Sequence, residues 1–168
     1  MYLEEKYPND FVNVFNLGIG GNTTKDLLRR FENEIKVRMP STIIFQIGTN
    51  DSGYFREITN LITPEDQFKN NLQELIDSAK KYTEDITCLG LAIGDDSLTQ
   101  PLPSSSKGKS YTKGRVKKYD NIIKSLVEQD SCKYIHLFDK LDNKDFMDGL
   151  HPNESGQRKM FESIKKYF

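Results

Sequence analysis

Apolar residues along this chain follow two periods. Short β-branched and aliphatic runs at residues 11–17, 43–47, 86–93 and 134–138 read as strands. Between and after them, apolar residues recur every three or four positions, which predicts helices. Leu27, Leu28, Phe31 and Ile35 mark one ahead of Pro40, and Phe68, Leu72, Leu75, Ile76 and Ala79 mark another after Thr63-Pro64. Val116, Tyr119, Ile122, Ile123, Leu126 and Val127 mark a third, and Met160, Phe161, Ile164 and Phe168 a last one from about residue 153. Leu3, Tyr7 and Pro8 look like the end of an earlier helix. Thr23 or Thr24 can cap the helix that follows, and Glu65 and Asp66 suit the positive end of the next.

Strands alternating with amphipathic helices predict an α/β fold with a parallel sheet and helices on both faces. The nearly unbroken run Ile43, Ile44, Phe45, Ile47 reads as a strand covered on both sides. Such folds gather ligands at the carboxyl ends of their strands. Function is therefore expected in the loops at residues 18–23, 48–63, 94–111 and 139–152. The Pro-, Ser- and Gly-biased stretch at 100–110 is long enough for a mobile lid, although a solvated connection is the plainer account.

Length and charge narrow the classes. A chain of 168 residues is expected to form one domain around one core. Lys and Arg total 24 against 25 Asp and Glu, so a net charge of -1 offers no global field for nucleic acid or an anionic membrane. No apolar run approaches the ~20 residues of a membrane span. Cys88 and Cys132 form no Cys-x-x-Cys pair and have only two histidines for company, so idle thiols are expected and no metal centre. No signal peptide is visible at Met1, and a cytoplasmic location is expected unless a leader precedes this sequence.

Asp148-Gly149-Leu150-His151-Pro152 carries the clearest chemistry. A carboxylate three residues before a histidine on one turn can bond its Nδ1 and leave Nε2 free, the geometry of a general base. An isolated Asp-x-x-His is also an ordinary helix-entry turn, but this one follows the fourth predicted strand. Gly21 lies just ahead of a predicted helix, where N–H groups point outward and favour negative charge. Asn50, within Gly48-Thr49-Asn50-Asp51, can add an amide donor. Both segments also have turn-forming accounts. Tyr54 and Phe55 are candidates for a pocket wall, with ordinary packing as the alternative.

Taken together, these segments resemble the SGNH/GDSL hydrolase family. Asn16-Leu17-Gly18-Ile19-Gly20-Gly21-Asn22-Thr23-Thr24 is similar to its second block, Gly48-Thr49-Asn50-Asp51 to its third, and Asp148 to Pro152-Asn153 to its last. The resemblance implies a flavodoxin-like three-layer α/β/α fold and ester hydrolysis through an acyl-serine intermediate. It also implies a catalytic pair of Asp148 and His151, oxyanion donors at Gly21 and Asn50, and no metal or organic cofactor. The substrate would be a small carbohydrate ester, acyl ester or thioester.

The family's first block, a strand followed by Gly-Asp-Ser, has no counterpart, since only twenty residues precede Gly21. The first strand, much of the first helix and the nucleophile are expected to be missing, and this chain to be inactive alone. In a sheet of order 2-1-3-4-5 that strand is central. Unpaired ladder groups cost ~1–3 kcal/mol each, against a domain stability of ~5–15 kcal/mol. A longer natural protein is expected, or closure of the gap by re-pairing, swapping or a homodimer.

Gly94-Asp95-Asp96-Ser97-Leu98 differs from Gly-Asp-Ser-Leu by one aspartate, but it follows the third strand and the insertion would re-aim the hydroxyl. Ser97 and Ser52 are minor nucleophile candidates, while Ser104, Ser105 and Ser106 read as loop polarity. Two other classes remain open. One is a ligand-binding module without turnover. The other is a nucleotide-binding domain, for which Gly-x-Gly-x-x-Gly would require glycine at Thr23 and a Walker lysine is absent.

Overall fold

Helix starts in this chain are set by side chains that satisfy otherwise free N–H groups. The structure, a computed structural model, describes residues 2–8 and 11–168. After a short α1 (Tyr2–Lys6), α2 (Thr24–Ile35) opens on Thr23, whose hydroxyl accepts from the Asp26 N–H while the Asp26 carboxylate accepts from the Thr23 N–H. Helix α3 (Glu65–Lys80) begins one residue after Pro64 with two acids in its first turn. Thr112 caps α4 (Lys113–Gln129), and Asn153 caps α5 (Glu154–Ile164) by accepting from the Gly156 N–H.

The strands are shorter than their apolar runs. They are β1 (Ile43–Phe45), β2 (Tyr54–Phe55), β3 (Ile86–Leu89), β4 (Lys109–Ser110) and β5 (Lys133–Ile135). Strands β1, β3 and β5 form a parallel sheet in that order, with Ile43 opposite Ile86 and Thr87 opposite Lys133. Strands β2 and β4 make a small antiparallel ladder beyond it. The larger apolar cluster joins α2, α3 and α4 to β1 and β3, through Phe31, Phe45, Phe68, Ile76, Cys88 and Tyr119. A second cluster, Leu89, Ile135, Leu137, Leu141, Phe146 and Met160, packs α5 against β3 and β5. The predicted α/β architecture is thus present, and among the described residues no helix is long and apolar enough to cross a membrane.

Three expectations need correction. Residues 11–17 form no strand: Phe11, Val14, Phe15 and Leu17 are exposed, and a strand persists only where a neighbour pairs with its backbone. Ile44 is 47% exposed because the α5 cluster covers β3 and β5 and does not reach β1, so β1 is covered on one face only. Phe161 is exposed because it lies about 100° around α5 from the buried Met160. Among the described residues no strand pairs with the outer edge of β1.

The entry to α5 is held by a buried carboxylate. Asp145 accepts from Lys159 Nζ at 2.5 Å, from the Asp142 N–H at 2.8 Å and from Ser155 Oγ at 2.9 Å. These contacts, the lysine foremost, hold its carboxyl down at about 2. A carboxyl depressed in the folded state adds stability that is complete above its unfolded value of 3.8 and is lost as pH falls through about 2. The urea midpoint should therefore drop over that window. Asp145→Asn should lower the midpoint at neutral pH and flatten its acid dependence, and an unchanged acid slope would contradict this account.

Candidate active site

The chemistry-bearing loops meet at the carboxyl end of the sheet. Residues 146–152 close on themselves through a bridge between Phe146 and Pro152, with the Met147 N–H donating to the His151 carbonyl at 2.8 Å. Within this loop, Asp148 Oδ2 lies 2.8 Å from His151 Nδ1, while Oδ1 accepts from the His151 and Leu150 N–H groups at 2.8 and 3.1 Å. Burial pushes the Asp148 carboxyl up, but these hydrogen bonds outweigh it and hold the carboxyl below its ordinary value. The imidazole is half exposed, and its Nε2 has no partner among the described residues.

Gly149 makes this turn possible. Its φ is +83°, and a Cβ there would meet the Asp95 carbonyl oxygen at 2.4 Å. The close approach lets the Gly94 N–H donate to the Gly149 carbonyl at 2.8 Å, fastening the histidine loop to the loop that follows β3.

The opposite side is built from the loop after β1 and the segment entering α2. Asp51 is fully buried and accepts from the Thr24 N–H at 3.0 Å and from Thr24 Oγ1 at 2.6 Å. Asn50, next in the chain, donates its Nδ2–H to the Asn22 carbonyl at 3.1 Å and accepts at Oδ1 from the Tyr111 hydroxyl at 3.3 Å. The backbone N–H of Gly21 has no partner among the described residues. Arg115 Nε, reaching from α4, donates to the Ser52 carbonyl at 2.8 Å and clamps the far end of the same loop.

A cleft of about 350 Å³ joins the two sides, lined by Gly21, Asn50, Tyr111, Leu150 and His151. Its outer wall is Leu102 with Ser104, Ser105, Ser106, Lys107 and Lys109. The stretch expected as a lid or a plain connection forms this wall, tied by the Leu102 N–H to the Lys109 carbonyl and by the Lys109 N–H to Ser105 Oγ, both at 2.8 Å. Tyr54 does not reach this cleft. It lines a neighbouring hollow of about 310 Å³ with Arg56 and Gln100, and Phe55 lines neither.

The minor nucleophile candidates are otherwise engaged. Ser97 lies in a 3₁₀ turn (Asp96–Thr99) capped by Asp95, to whose Oδ1 its hydroxyl donates at 2.7 Å, and the buried Ser52 hydroxyl donates to the Thr49 carbonyl at 2.7 Å. Cys88 is buried, which pushes its thiol up to about 12. Sequence reasoning missed Tyr111, which has no local motif and reaches Asn50 only because β4 pairs with β2. It also left Asp51 as a turn residue, although the Asx pattern at the strand end carried that signal.

Residues 1–159 match the model of the GDSL-like Lipase/Acylhydrolase family. The chain belongs to this family. Curated relatives within reach include an acetylxylan esterase of Geobacillus stearothermophilus, 22% identical over 138 residues, 79% of this chain and 58% of that protein. Another is an uncharacterized lipoprotein of Bacillus subtilis (strain 168), 30% identical over 71 residues, 42% of this chain and 29% of that one. The chain thus spans under two thirds of either relative. Among solved structures, an acetylxylan esterase from Geobacillus stearothermophilus superposes with a TM-score of 0.76 at 18% identity, over 98% of this chain and 76% of its own. That likeness shows the GDSL-type fold.

Burial raises the Asp51 carboxyl against the hydrogen bonds from Thr24 and Thr63. Since its folded value lies above the unfolded 3.8, the ionised group costs stability once pH rises past that point. Asp51→Asn keeps an acceptor for Thr24 and removes the buried charge. Its urea midpoint at pH 7 should equal or exceed that of the parent, whereas Asp51→Ala, which strands the Thr24 donors, should lose about 2–4 kcal/mol. Equal losses in the two variants would refute the buried-charge account.

Proposed function

We propose that this chain supplies the general base and the oxyanion donors of a serine acyl-ester hydrolase. The nucleophilic serine would come from a strand added to the free edge of β1. The observation that carries this reading is that three residues lining one cleft each keep an unspent group: His151 its Nε2, Gly21 its N–H and Asn50 the second hydrogen of Nδ2.

In this mechanism His151 Nε2 takes the proton of the serine hydroxyl as the oxygen attacks the ester carbonyl. Asp148 holds the ring with Nδ1 protonated and stabilises the imidazolium that forms. Charge then develops on the carbonyl oxygen. The Gly21 N–H, at the positive end of α2, and the Asn50 amide meet it with donors already oriented, so little reorganisation is paid at the transition state. His151 returns the proton to the departing alcohol, and water activated by the same nitrogen releases the acyl group.

A short acyl ester on a carbohydrate fits the cleft best. Its outer wall offers three serine hydroxyls and two ammonium groups, a surface suited to a polyhydroxylated alcohol and poorly suited to a lipid chain. The relatives named acetylxylan esterases support the same class.

The test compares the chain alone with the chain extended at its N terminus by a strand-forming segment ending in Gly-Asp-Ser. The chain alone should neither react with a fluorophosphonate nor hydrolyse p-nitrophenyl acetate. The extended form should do both, with label on the added serine. In that form His151→Ala should cost at least ~10³-fold in kcat, and Asn50→Ala ~10²–10³-fold. Undiminished turnover in the His151 variant would rule the mechanism out, and ligand binding without turnover in the extended form would mark a binding module.

A further inference from the structure

We propose that Tyr111 is the positioning residue of this site: its hydroxyl holds the Asn50 carboxamide in the orientation that the Asn22 carbonyl selects, with Nδ2 and not Oδ1 facing the cleft. Tyr111 has this role in catalysis only if Asn50 is the oxyanion donor proposed above.

An asparagine amide can turn end for end, exchanging a donor for an acceptor at nearly the same place. Exchange here would present a carbonyl oxygen to a developing oxyanion, which repels it. The Asn22 carbonyl opposes this: it can only accept, so it must face Nδ2, at 3.1 Å. Oδ1 is then left to the Tyr111 hydroxyl, which donates across 3.3 Å and holds the amide in the orientation so chosen.

The tyrosine is fixed from several directions. It is 1% exposed, its N–H donates to the Thr99 carbonyl at 3.0 Å, and its own carbonyl accepts from Thr99 Oγ1 at 2.7 Å. The ring packs against the loop that carries Asn50, so close that a Cβ on Gly53 would come within 2.8 Å of Cε1. Burial, helped by the Asp51 charge, pushes the phenol up to about 12, so the hydroxyl keeps its proton at any working pH. Packing alone would be served by phenylalanine. The hydroxyl has one partner among the described residues, and that partner is Asn50.

The first measurement uses the chain as it stands, labelled with ¹⁵N, with the Asn50 side-chain NH₂ pair assigned by its loss in Asn50→Ala. Tyr111→Phe should shift that pair and lower its order parameter from a rigid value toward ~0.6 or below, while the backbone amides of Thr24 and Ser52 stay in place. An unmoved NH₂ pair, or Thr24 and Ser52 shifting with it, overturns the proposal.

The second measurement uses the Gly-Asp-Ser-bearing form. Tyr111→Phe should lower kcat ~5–10-fold, the worth of one ordinary hydrogen bond, with KM unchanged. In an Asn50→Ala background the same substitution should cost nothing further, because there is no amide left to orient. An equal loss in both backgrounds overturns the positioning role. Unchanged turnover on Asn50→Ala alone removes the oxyanion reading, whatever the resonance of the carboxamide shows.

Discussion

Asp51 accepts the Thr24 N–H and hydroxyl across 27 residues of sequence, and it does so fully out of water. A carboxylate in that position holds the first turn of α2 against the loop that leaves β1. Without it, the residues on either side would lose their mutual register: Asn22 and Gly21 upstream of the helix, Asn50 one residue before the acid. The contact spends a buried charge, whose carboxyl burial pushes up, to place two donors over one cleft. Asn71 Nδ2 donates to Thr24 Oγ1 at 3.1 Å, so α3 braces the same junction. The Gly21 and Asn50 side of the cleft is therefore a consequence of helix capping done by a distant acid.

The histidine side is held by different means. Asp145 fastens the start of α5, the Phe146 to Pro152 bridge closes the loop, and Gly149 lets that loop touch the one that follows β3. Among the described residues the two sides share no direct hydrogen bond. They are brought together because β1, β3 and β5 run parallel and send their loops to one end. Tyr111 and the wall at residues 102–109 span the remaining gap, and the two-residue ladder of β2 and β4 anchors both. Relative geometry across the cleft thus rests on the sheet, while donor orientation within each half rests on local polar contacts.

Most of the scaffold was legible in the sequence because helix periodicity and capping are local. Thr23 at the head of α2 and the stripe Phe68, Leu72, Leu75, Ile76 in α3 needed no tertiary information. The Asp148 and His151 pair was equally local, lying on one turn. What lay beyond reach was decided by pairing and cover. Residues 11–17 have strand composition, yet no backbone partner among the described residues, and Ile44 has core composition, yet no helix over it. Tyr111 was invisible because its contact depends on Gly53 being bare and on Asn50, 61 residues away in sequence, being brought to its hydroxyl.

The two edges of the sheet are built differently, and the difference bears on where a nucleophile would sit. The outer strand β5 opens with Lys133, paired to Asp85 at 2.7 Å, and charged side chains of this kind discourage further pairing. Strand β1 reads Ile43-Ile44-Phe45, with no charge and no proline, and Ile44 stands half exposed. An apolar, uncharged edge is what a strand needs if it is to be covered. A parallel strand added there, as proposed for the catalytic form, would pair with the open ladder groups of β1 and run toward the same end of the sheet. Its carboxyl end would then emerge beside the Asn50 loop, which leaves β1 at that end, and the contact of Asp51 with Thr24 keeps the Gly21 turn against the same loop. A serine at that point would have the two oxyanion donors beside it and His151 across the cleft, an order of groups that acyl transfer requires and that no hydroxyl among the described residues now occupies.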